Sequence, residues 1–339
     1  MKITKMKILA YLAFVLLGVV WGSNFIFMKW AADYIAPQQI AFLRVLCGFV
    51  PLVIFAVLRR EVHLRDMRHI HHFVLMALLA TAIYYFAFAK GTALLLSSVA
   101  GMLSGAIPLF AFVTALLFLR DERPTVKSLC GVALGFAGVV LIARPWQIDA
   151  GQVGEGGVSI AGTAYMIVGA LSVGCSFVYA RKFISPLKLS PLALSTYQIG
   201  IATAIFALTT DISGVGAVFD DPKTAIGLVV GLGVLGTGLA YILYYFIVDQ
   251  LGAVAASGVT YLPPLVAMAI GIVLIGEPVA GLDVVAMVAI LFGVFLQQIG
   301  RRAVPLTTIK PPPESRGHGR LLTPDARQSA LEVQVKASK

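Results

Sequence analysis

Residues 104–122 read SGAIPLFAFVTALLFLRDE, and residues 259–277 read VTYLPPLVAMAIGIVLIGE. Each stretch places a proline inside an apolar run and a glutamate at its end. Because 263 minus 108 is 155, one shift of 155 positions superposes Pro108 on Pro263, and it superposes the two glutamates without a gap. A fixed internal period in an apolar chain is typical of secondary transporters, which are often built from duplicated membrane bundles.

The repeat extends upstream of these two stretches. A shift of 154 positions pairs Pro37 with Pro191, and it also pairs Arg44 with Gln198. The two copies therefore cover most of the apolar chain. They differ at the position where the first copy carries a positive charge and the second carries a neutral amide.

The composition places this chain in a membrane. Hydrophobic residues make up 59% of it and charged residues 12%, with a mean hydropathy of +0.92, which leaves too little polar surface for a soluble globule. An apolar run of roughly 20 residues can cross the bilayer as a helix. The sequence contains ten such runs, five in each copy, which begin near Ile8, Pro37, Phe73, Leu94, Lys127, Ile160, Pro191, Thr224, Ala253 and Leu282. These runs are apolar on all sides, whereas barrel strands alternate, so helices are predicted.

The net charge of +10 could indicate a nucleic-acid partner, but the positions of the basic residues argue against one. When the predicted loops are assigned alternately to two sides, one side collects nearly all of the basic residues. The other side holds Lys29, Lys90, Arg144 and Lys223. This excess is what the positive-inside rule predicts, so we expect both termini in the cytoplasm and no nucleic-acid partner.

Five spans per copy is an odd number, so the second copy must enter the membrane from the opposite face. The predicted fold is therefore an all-α membrane protein with ten transmembrane helices, arranged as two inverted five-helix repeats. We place the first repeat at residues 1–143 and the second at residues 160–300. Residues 144–159 contain several glycines and predict a flexible periplasmic linker. Residues 301–339 are polar and proline-containing, which predicts a disordered cytoplasmic tail.

Arg44 is the most informative single residue. It lies seven residues past Pro37, which is about 10 Å along a helix. A charge at the bilayer centre costs at least ~2.5 kcal/mol on the insertion scale, and no Asp or Glu lies at a comparable depth in the predicted spans. Two interpretations remain open: Arg44 attracts the carboxylate of a substrate, or it ties helix ends together or snorkels toward the outer face.

Other polar side chains interrupt the apolar spans. Trp21, Ser23 and Asn24 lie near the middle of the first span, where they either contact a substrate or bond a neighbouring helix. Further candidate substrate contacts are Tyr84, Tyr85, Ser104, Tyr179, Tyr241, Tyr244, Tyr245 and Tyr261. Tyrosines at mid-span suit an amphipathic cavity, and those at the span ends suit the interfacial belt.

Prolines and glutamates recur at matching places in the two copies. Pro108, Pro263 and Pro264 each remove a backbone hydrogen bond in mid-span and are expected to kink their helices. Freed carbonyls are tolerated where protein or a water-filled cavity satisfies them, so these helices are candidate cavity walls. Glu122 and Glu277 lie at span ends, where each is predicted to hold a turn between consecutive helices, with proton coupling as the alternative.

Several other functions are disfavoured. His63, His69, His71 and His72 suggest a metal site, but no cysteine nearby completes a ligand set, so no metal is predicted. The chain has no Gly-x-x-x-x-Gly-Lys-Ser/Thr pattern, which argues against ATP hydrolysis, and no cofactor is expected. An intramembrane lipid-modifying enzyme would need a nucleophile and a base, and the spans offer no His, Asp or Glu.

The residues discussed above resemble the EamA repeat of the drug/metabolite transporter superfamily. In the first copy the resemblance rests on Trp21-Gly22-Ser23-Asn24-Phe25, Lys29, Pro37, Phe42-Leu43-Arg44, Pro108 and Glu122. In the second copy it rests on Ser190-Pro191-Leu192, Tyr197-Gln198, Pro263 and Gly276-Glu277-Pro278. The second copy has Cys175-Ser176 and Gln198 where the first has Trp-Gly and Arg.

The resemblance implies a ten-helix carrier of the bacterial inner membrane that exports amino acids or similar small amphipathic metabolites by alternating access. A multidrug or lipophilic-cation exporter is the alternative, although a buried arginine would repel such a cargo. The expected partners are a small-molecule substrate and the lipid bilayer. The substrate, the energy coupling and the oligomeric state are left open by the sequence.

Overall fold

A computed structural model describes residues 2–119, 124–146, 159–252 and 256–300. Its apolar helical segments are α1 (Met6–Ala32), α2 (Pro37–Leu58), α3 (Leu64–Leu94), α4 (Ser97–Phe118), α5 (Val126–Ala143), α6 (Ile160–Leu187), α7 (Pro191–Thr209), α8 (Pro222–Leu251), α9 (Gly258–Ile275) and α10 (Gly281–Gly300). Each is long and apolar enough to cross a bilayer, and no strand occurs in the described ranges. The predicted ten-helix membrane fold is confirmed.

The helices of the two copies pack with a two-fold pattern. Helix α2 packs on α7, α4 on α9, and α5 on α10, so three helices each meet their own counterpart. Helix α1 packs on α8 and α9, and its counterpart α6 packs on α3 and α4. Exchanging the copies maps each contact onto another one, and the odd span number makes the repeats inverted.

Successive helices run in opposite directions, so their connections lie alternately at the two ends of the bundle. We call the end with the α1–α2, α3–α4, α5–α6, α7–α8 and α9–α10 connections the acidic end, because most loop carboxylates lie there. The basic end carries the amino terminus and the other connections. Glu122, residues 147–158 of the predicted linker and the predicted tail lie outside the described residues.

Helices α4 and α9 are broken near their prolines. Helix α4 consists of two pieces, Ser97–Ser104 and Ile107–Phe118, and Pro108 lies in the first turn of the second piece. Helix α9 begins with a 3-10 turn, and Pro263 and Pro264 lie in the first α-helical turn that follows. Proline is tolerated in a first turn because its missing N–H has no partner there.

Helices α3 and α8 contain π-helical segments, Leu78–Ala82 and Gly227–Leu239. Adding the 155-residue shift to the first segment gives positions 233–237, which lie inside the second. The two copies therefore share the same irregular winding. Segments of this kind occur often at functional sites.

Helices α5 and α10 are joined along their whole length. Gly293 lies against the backbone of α5, where a Cβ atom would collide with main-chain atoms. Thr125 Oγ1 donates a hydrogen bond of 2.7 Å to the Gly300 carbonyl at the basic end. At the acidic end, Arg144 Nη2 and Asp283 Oδ1 form an ion pair of 2.6 Å. This pair of helices is called the α5–α10 seam below.

Candidate functional site

Arg44 lies inside the bundle and contacts three helices. Its side chain is 4% exposed. Nε donates a hydrogen bond of 3.0 Å to Thr237 Oγ1 on α8, and Cζ lies 3.7 Å from the ring centroid of Tyr85 on α3. With the Asn24 amide oriented by its hydrogen-bond partners, Oδ1 accepts from Arg44 Nη2 at 3.3 Å. Arg44 therefore joins α1, α2 and α3 of the first copy to α8 of the second.

The close approach of Asn24 to α8 depends on a glycine. A Cβ atom at Gly236 would overlap the Asn24 side-chain amide. The same amide donates to the Val20 carbonyl at 3.1 Å, which fixes its orientation toward the guanidinium. Asn24 thus acts as a neutral acceptor for Arg44.

Gln198 occupies the equivalent place in the second copy. Its Nε2 donates to Thr81 Oγ1 on α3 at 2.8 Å and to the Tyr241 hydroxyl on α8 at 3.4 Å. Gln198 therefore binds a threonine and a tyrosine from the helices that correspond to the Arg44 partners. Because it is neutral, it can donate and accept but cannot attract an anion over a distance.

The two arrangements define two half-sites. The Arg44 half-site consists of Arg44, Thr237 and Tyr85, and the Gln198 half-site consists of Gln198, Thr81 and Tyr241. A shift of 156 positions superposes both threonines and both tyrosines, so each copy carries Thr-x-x-x-Tyr. This repeated motif was the sequence signal that could have identified Thr81 and Thr237, which the sequence analysis missed.

The half-sites lie side by side. Tyr85, Tyr84 and Arg44 are electrostatic neighbours of the Tyr241 hydroxyl, and the Tyr84 and Tyr85 ring centroids are 5.0 Å apart. Arg44 and Tyr85 are buried, whereas Tyr84 and Tyr241 are partly exposed. The accessible edge of the paired half-sites is therefore aromatic, and their buried centre is cationic.

No carboxylate balances the charge of Arg44 in the part of the chain that the structure describes. None of its Asp and Glu side chains lies within 4.0 Å of the guanidinium. The contacts of Arg44 are an amide, a hydroxyl and an aromatic ring. A buried cation with neutral partners attracts an anion strongly, because the local dielectric is low and water competes little.

Two predicted contacts bond to their own helices. Ser23 Oγ donates to the Val19 carbonyl at 2.8 Å, and Ser104 Oγ donates to the Gly101 carbonyl at 2.6 Å. Both hydroxyl hydrogens are used within one helix. Their oxygen lone pairs are the groups that they can offer to another molecule.

Other predicted contacts lie in different groups. Trp21 packs on Tyr244, with ring centroids 6.0 Å apart. Tyr245 lines a cleft of about 630 Å³ between α1, α2 and α8, near the basic end. Tyr261 packs against the main hydrophobic cluster of the bundle. The structure does not place these four residues in either half-site.

Tyr179 belongs to a histidine cluster on α3 and α6. Its hydroxyl shares a hydrogen bond of 2.6 Å with His72 Nδ1. The His71 and His72 rings are 4.0 Å apart. Within the described residues, no group of three His, Cys, Asp or Glu side chains has a metal-binding arrangement.

Glu277 binds the start of α4. Oε1 accepts hydrogen bonds of 2.8 Å from the Ser97 N–H and Oγ, and Oε2 accepts one of 2.9 Å from the Ser98 N–H. The turn that Glu277 holds is therefore the α3–α4 turn of the other copy, not its own α9–α10 turn. Burial raises the pKa of the Glu277 carboxyl, but the Ser98 and Ser97 hydrogen bonds outweigh it and hold the pKa below its usual value.

Lys29 holds the same turn from its other side. Nζ donates to the Ala93 carbonyl at 3.2 Å and to the Leu95 carbonyl at 2.8 Å. These are the carbonyls at the end of α3, which a cation satisfies well. We call Lys29 and Glu277, with the α3–α4 turn between them, the acidic-end clasp.

A polar cleft of about 460 Å³ opens at the acidic end, between the α1–α2 and α7–α8 connections. Gln39 lines it and donates to the Asp211 and Ser213 carbonyls at 2.8 and 2.9 Å. Arg44 lies five residues farther along α2, or about 7.5 Å along the helix axis. On the same helix, Phe55 lines the cleft near the basic end, so Arg44 lies between the two clefts.

Comparison with known proteins identifies a family whose model matches this chain. The model of a family described as EamA-like transporters matches residues 8–144 and 160–297, which are the two five-helix units. The "Uncharacterized inner membrane transporter YedA" of Escherichia coli is 22% identical, over 87% of this chain and 92% of its own length. A "Probable amino-acid metabolite efflux pump" of Salmonella typhimurium is 26% identical, over 85% of this chain and 94% of its own.

One solved crystal structure also matches this fold. It superposes with a TM-score of 0.55 at 20% sequence identity, and the match covers 84% of this chain and 97% of the other. At that identity the likeness concerns the arrangement of the helices alone.

Proposed function

This chain belongs to the EamA-like transporter family, and on that premise we propose that it is an inner-membrane secondary carrier that exports amino acids or similar small amphipathic metabolites. The observation that carries the proposal is the buried guanidinium of Arg44, which has only neutral contacts. A cargo with a carboxylate supplies the missing anion. The probable amino-acid metabolite efflux pump among the relatives supports the same substrate class.

The roles of the side chains follow from their geometry. Arg44 binds the carboxylate, while Thr237 and Asn24 orient the guanidinium through the bonds already made. Charge-assisted hydrogen bonds to a carboxylate are about twice as strong as neutral ones. Tyr84 and Tyr241 present aromatic faces to the apolar body of the cargo.

Transport requires access from both sides in turn. The excess of basic residues assigns the basic end, and with it both termini, to the cytoplasm. The acidic-end clasp then closes the α3–α4 side of the periplasmic end, because Lys29 of the first copy and Glu277 of the second both bind the α3–α4 turn. Opening toward the periplasm releases this turn, and the breaks beside Pro108 and Pro263 give α4 and α9 a place to bend.

We keep the other predicted residues as candidate substrate contacts in a second conformation of the carrier. They are Trp21, Ser23, Ser104, Tyr179, Tyr244, Tyr245 and Tyr261. The alternative of a lipophilic-cation exporter gains no support from the site, since Arg44 repels a cation. Among the described residues, no carboxylate contacts Arg44 to balance its charge.

Efflux from vesicles tests the proposal. Purified protein is reconstituted into liposomes loaded with labelled amino acids and related carboxylates, and release is compared with that from empty liposomes. We expect carrier-dependent release of at least one carboxylate, and we expect Arg44→Gln to abolish it. Arg59→Gln is the matched control, because Arg59 directly follows the end of α2 and packs on an aromatic ring, at 5.3 Å from Phe55, but is exposed.

Two outcomes would contradict the proposal. One is release of lipophilic cations with none of any carboxylate. The other is equal release by the wild type and Arg44→Gln, because the carboxylate would then bind elsewhere.

A further inference from the structure

The two half-sites contain one full charge between them. Gln198, Thr81, Thr237 and the tyrosines are neutral, and Asn24 is neutral as well. A ligand that enters this group therefore meets a cation on one side and dipoles or aromatic faces on the other. The net charge of the ligand decides whether the loaded site is neutral.

An ammonium group finds no carboxylate beside Arg44 among the described residues. The Tyr85 ring already carries the Arg44 guanidinium at 3.7 Å. The hydroxyl oxygen of Thr237 already accepts a hydrogen bond from Arg44, so one of its two lone pairs is used. The amide oxygen of Asn24 faces Arg44 too.

The geometry of an α-amino acid disfavours the binding of its ammonium group further. One carbon joins its ammonium to its carboxylate, so a carboxylate on Arg44 brings the ammonium close to the guanidinium. Like charges at such a separation repel, and the low dielectric of the bundle strengthens the repulsion. A site for zwitterions would place an acid or free carbonyls beside the arginine.

Crossing the membrane adds a second penalty. Arg44 with a bound monoanion is a neutral pair, whereas Arg44 with a zwitterion keeps one uncompensated positive charge. Uncompensated charges within the hydrocarbon layer are strongly disfavoured. Both effects act in the same direction.

We propose that the Arg44 half-site selects a small organic monoanion, a carboxylate with an apolar or aromatic body and no cationic group, over the zwitterion with the same skeleton. This proposal rests on the proposed function and narrows its substrate class. 2-Oxo acids, 2-hydroxy acids and N-acylated amino acids fit the description. The partly exposed rings of Tyr84 and Tyr241 suit their apolar bodies.

A matched ligand series tests the proposal. Detergent-purified full-length protein is titrated at neutral pH with phenyllactate and N-acetylphenylalanine as monoanions, phenylalanine as the zwitterion and phenylalaninamide as the cation. A second series on the leucine skeleton controls for the shape of the body. Binding is measured from the rise in melting temperature, since a ligand of the folded state stabilises it.

We expect the monoanions to bind at least about tenfold more tightly than the zwitterion, a factor that corresponds to ~1.4 kcal/mol, and we expect the amide not to bind. Arg44→Gln should remove the difference between monoanion and zwitterion, whereas Arg59→Gln should keep it. The wild-type comparison needs no variant, so poor folding of Arg44→Gln would not obscure the result.

Equal or tighter binding of the zwitterion would overturn the monoanion proposal. In that case, efflux of amino acids from vesicles would leave the proposed export function standing. Failure of every monoanion in both series to bind would also overturn it.

Discussion

Replacing Arg44 with glutamine separates a substrate-binding arginine from a structural one. The variant loses a hydrogen bond of 3.0 Å to Thr237, a longer one of 3.3 Å to Asn24 and the stacking on Tyr85. Two hydrogen bonds from a charged donor contribute about 1.5–3 kcal/mol each, and a cation–π contact contributes about 0.5–2 kcal/mol. Against this loss, the variant removes a charge that is disfavoured by at least ~2.5 kcal/mol within the bilayer.

Removal of the buried charge offsets part of the stability lost with these contacts. Glutamine can also keep one bond, because Gln198 binds Thr81 in the equivalent place at 2.8 Å. We therefore expect the ligand-free Arg44→Gln protein to stay folded and to melt moderately below the wild type. The affinity for a carboxylate should fall by about 10- to 100-fold, since a hydrogen bond to a charged group is worth about 1.5–3 kcal/mol.

The assay combines thermal unfolding of the purified protein with ligand titration, and Arg59→Gln serves as the control. A large fall in the melting temperature of ligand-free Arg44→Gln, with unchanged affinity in the folded fraction, would refute this reasoning. Arg44 would then tie the helices together and have no part in binding.

Three further predictions concern the rest of the bundle. Because the folded-state pKa of Glu277 lies below 4.5, its stabilisation is complete above that pH and is lost as the pH falls through the lower value, so the difference in melting temperature between wild type and Glu277→Gln should shrink on acidification. Asp283→Asn should cost about 3 kcal/mol in detergent unfolding, and adding Arg144→Gln should restore part of it; no change would show that the ion pair is dispensable. In Gly48→Ala the new Cβ would lie 2.7 Å from an α8 side-chain carbon, which should weaken carboxylate binding, whereas Gly216→Ala meets open space and should be silent.

The sequence predicted the helices because the bilayer imposes a simple rule. A run of about 20 apolar residues must form its hydrogen bonds within itself, so length and composition specify the spans. The internal shift and the charge asymmetry then specified the repeats. The family model, which matches residues 8–144 and 160–297, confirms the resemblance drawn from the motifs.

Hydropathy could not predict which residues contact one another within the site. Arg44 was identified by its charge, but Thr237 lies 193 positions away and meets it only because α2 packs on α8. The tyrosines were chosen by residue type, and type does not specify the face of a helix. Tyr241 and Tyr245 lie one turn apart in the regular α-helical part of α8, yet Tyr241 accepts a hydrogen bond from Gln198 while Tyr245 lines another cleft.

The contact partner of Glu277 also could not be predicted from the sequence. The position of Glu277 at a span end predicted that it holds a turn between consecutive helices. The carboxylate binds such a turn, the α3–α4 turn, and that turn belongs to the other copy. Contacts between inverted copies cannot be read from adjacency along the chain.

The α5–α10 seam limits how this molecule can move. Its two helices are fastened at both ends, by Thr125 to Gly300 and by Arg144 to Asp283, and Gly293 brings their backbones together in between. Sliding one helix past the other would break both fastenings and force main-chain atoms into collision. The seam therefore keeps α5 of the first copy and α10 of the second in a fixed relative position.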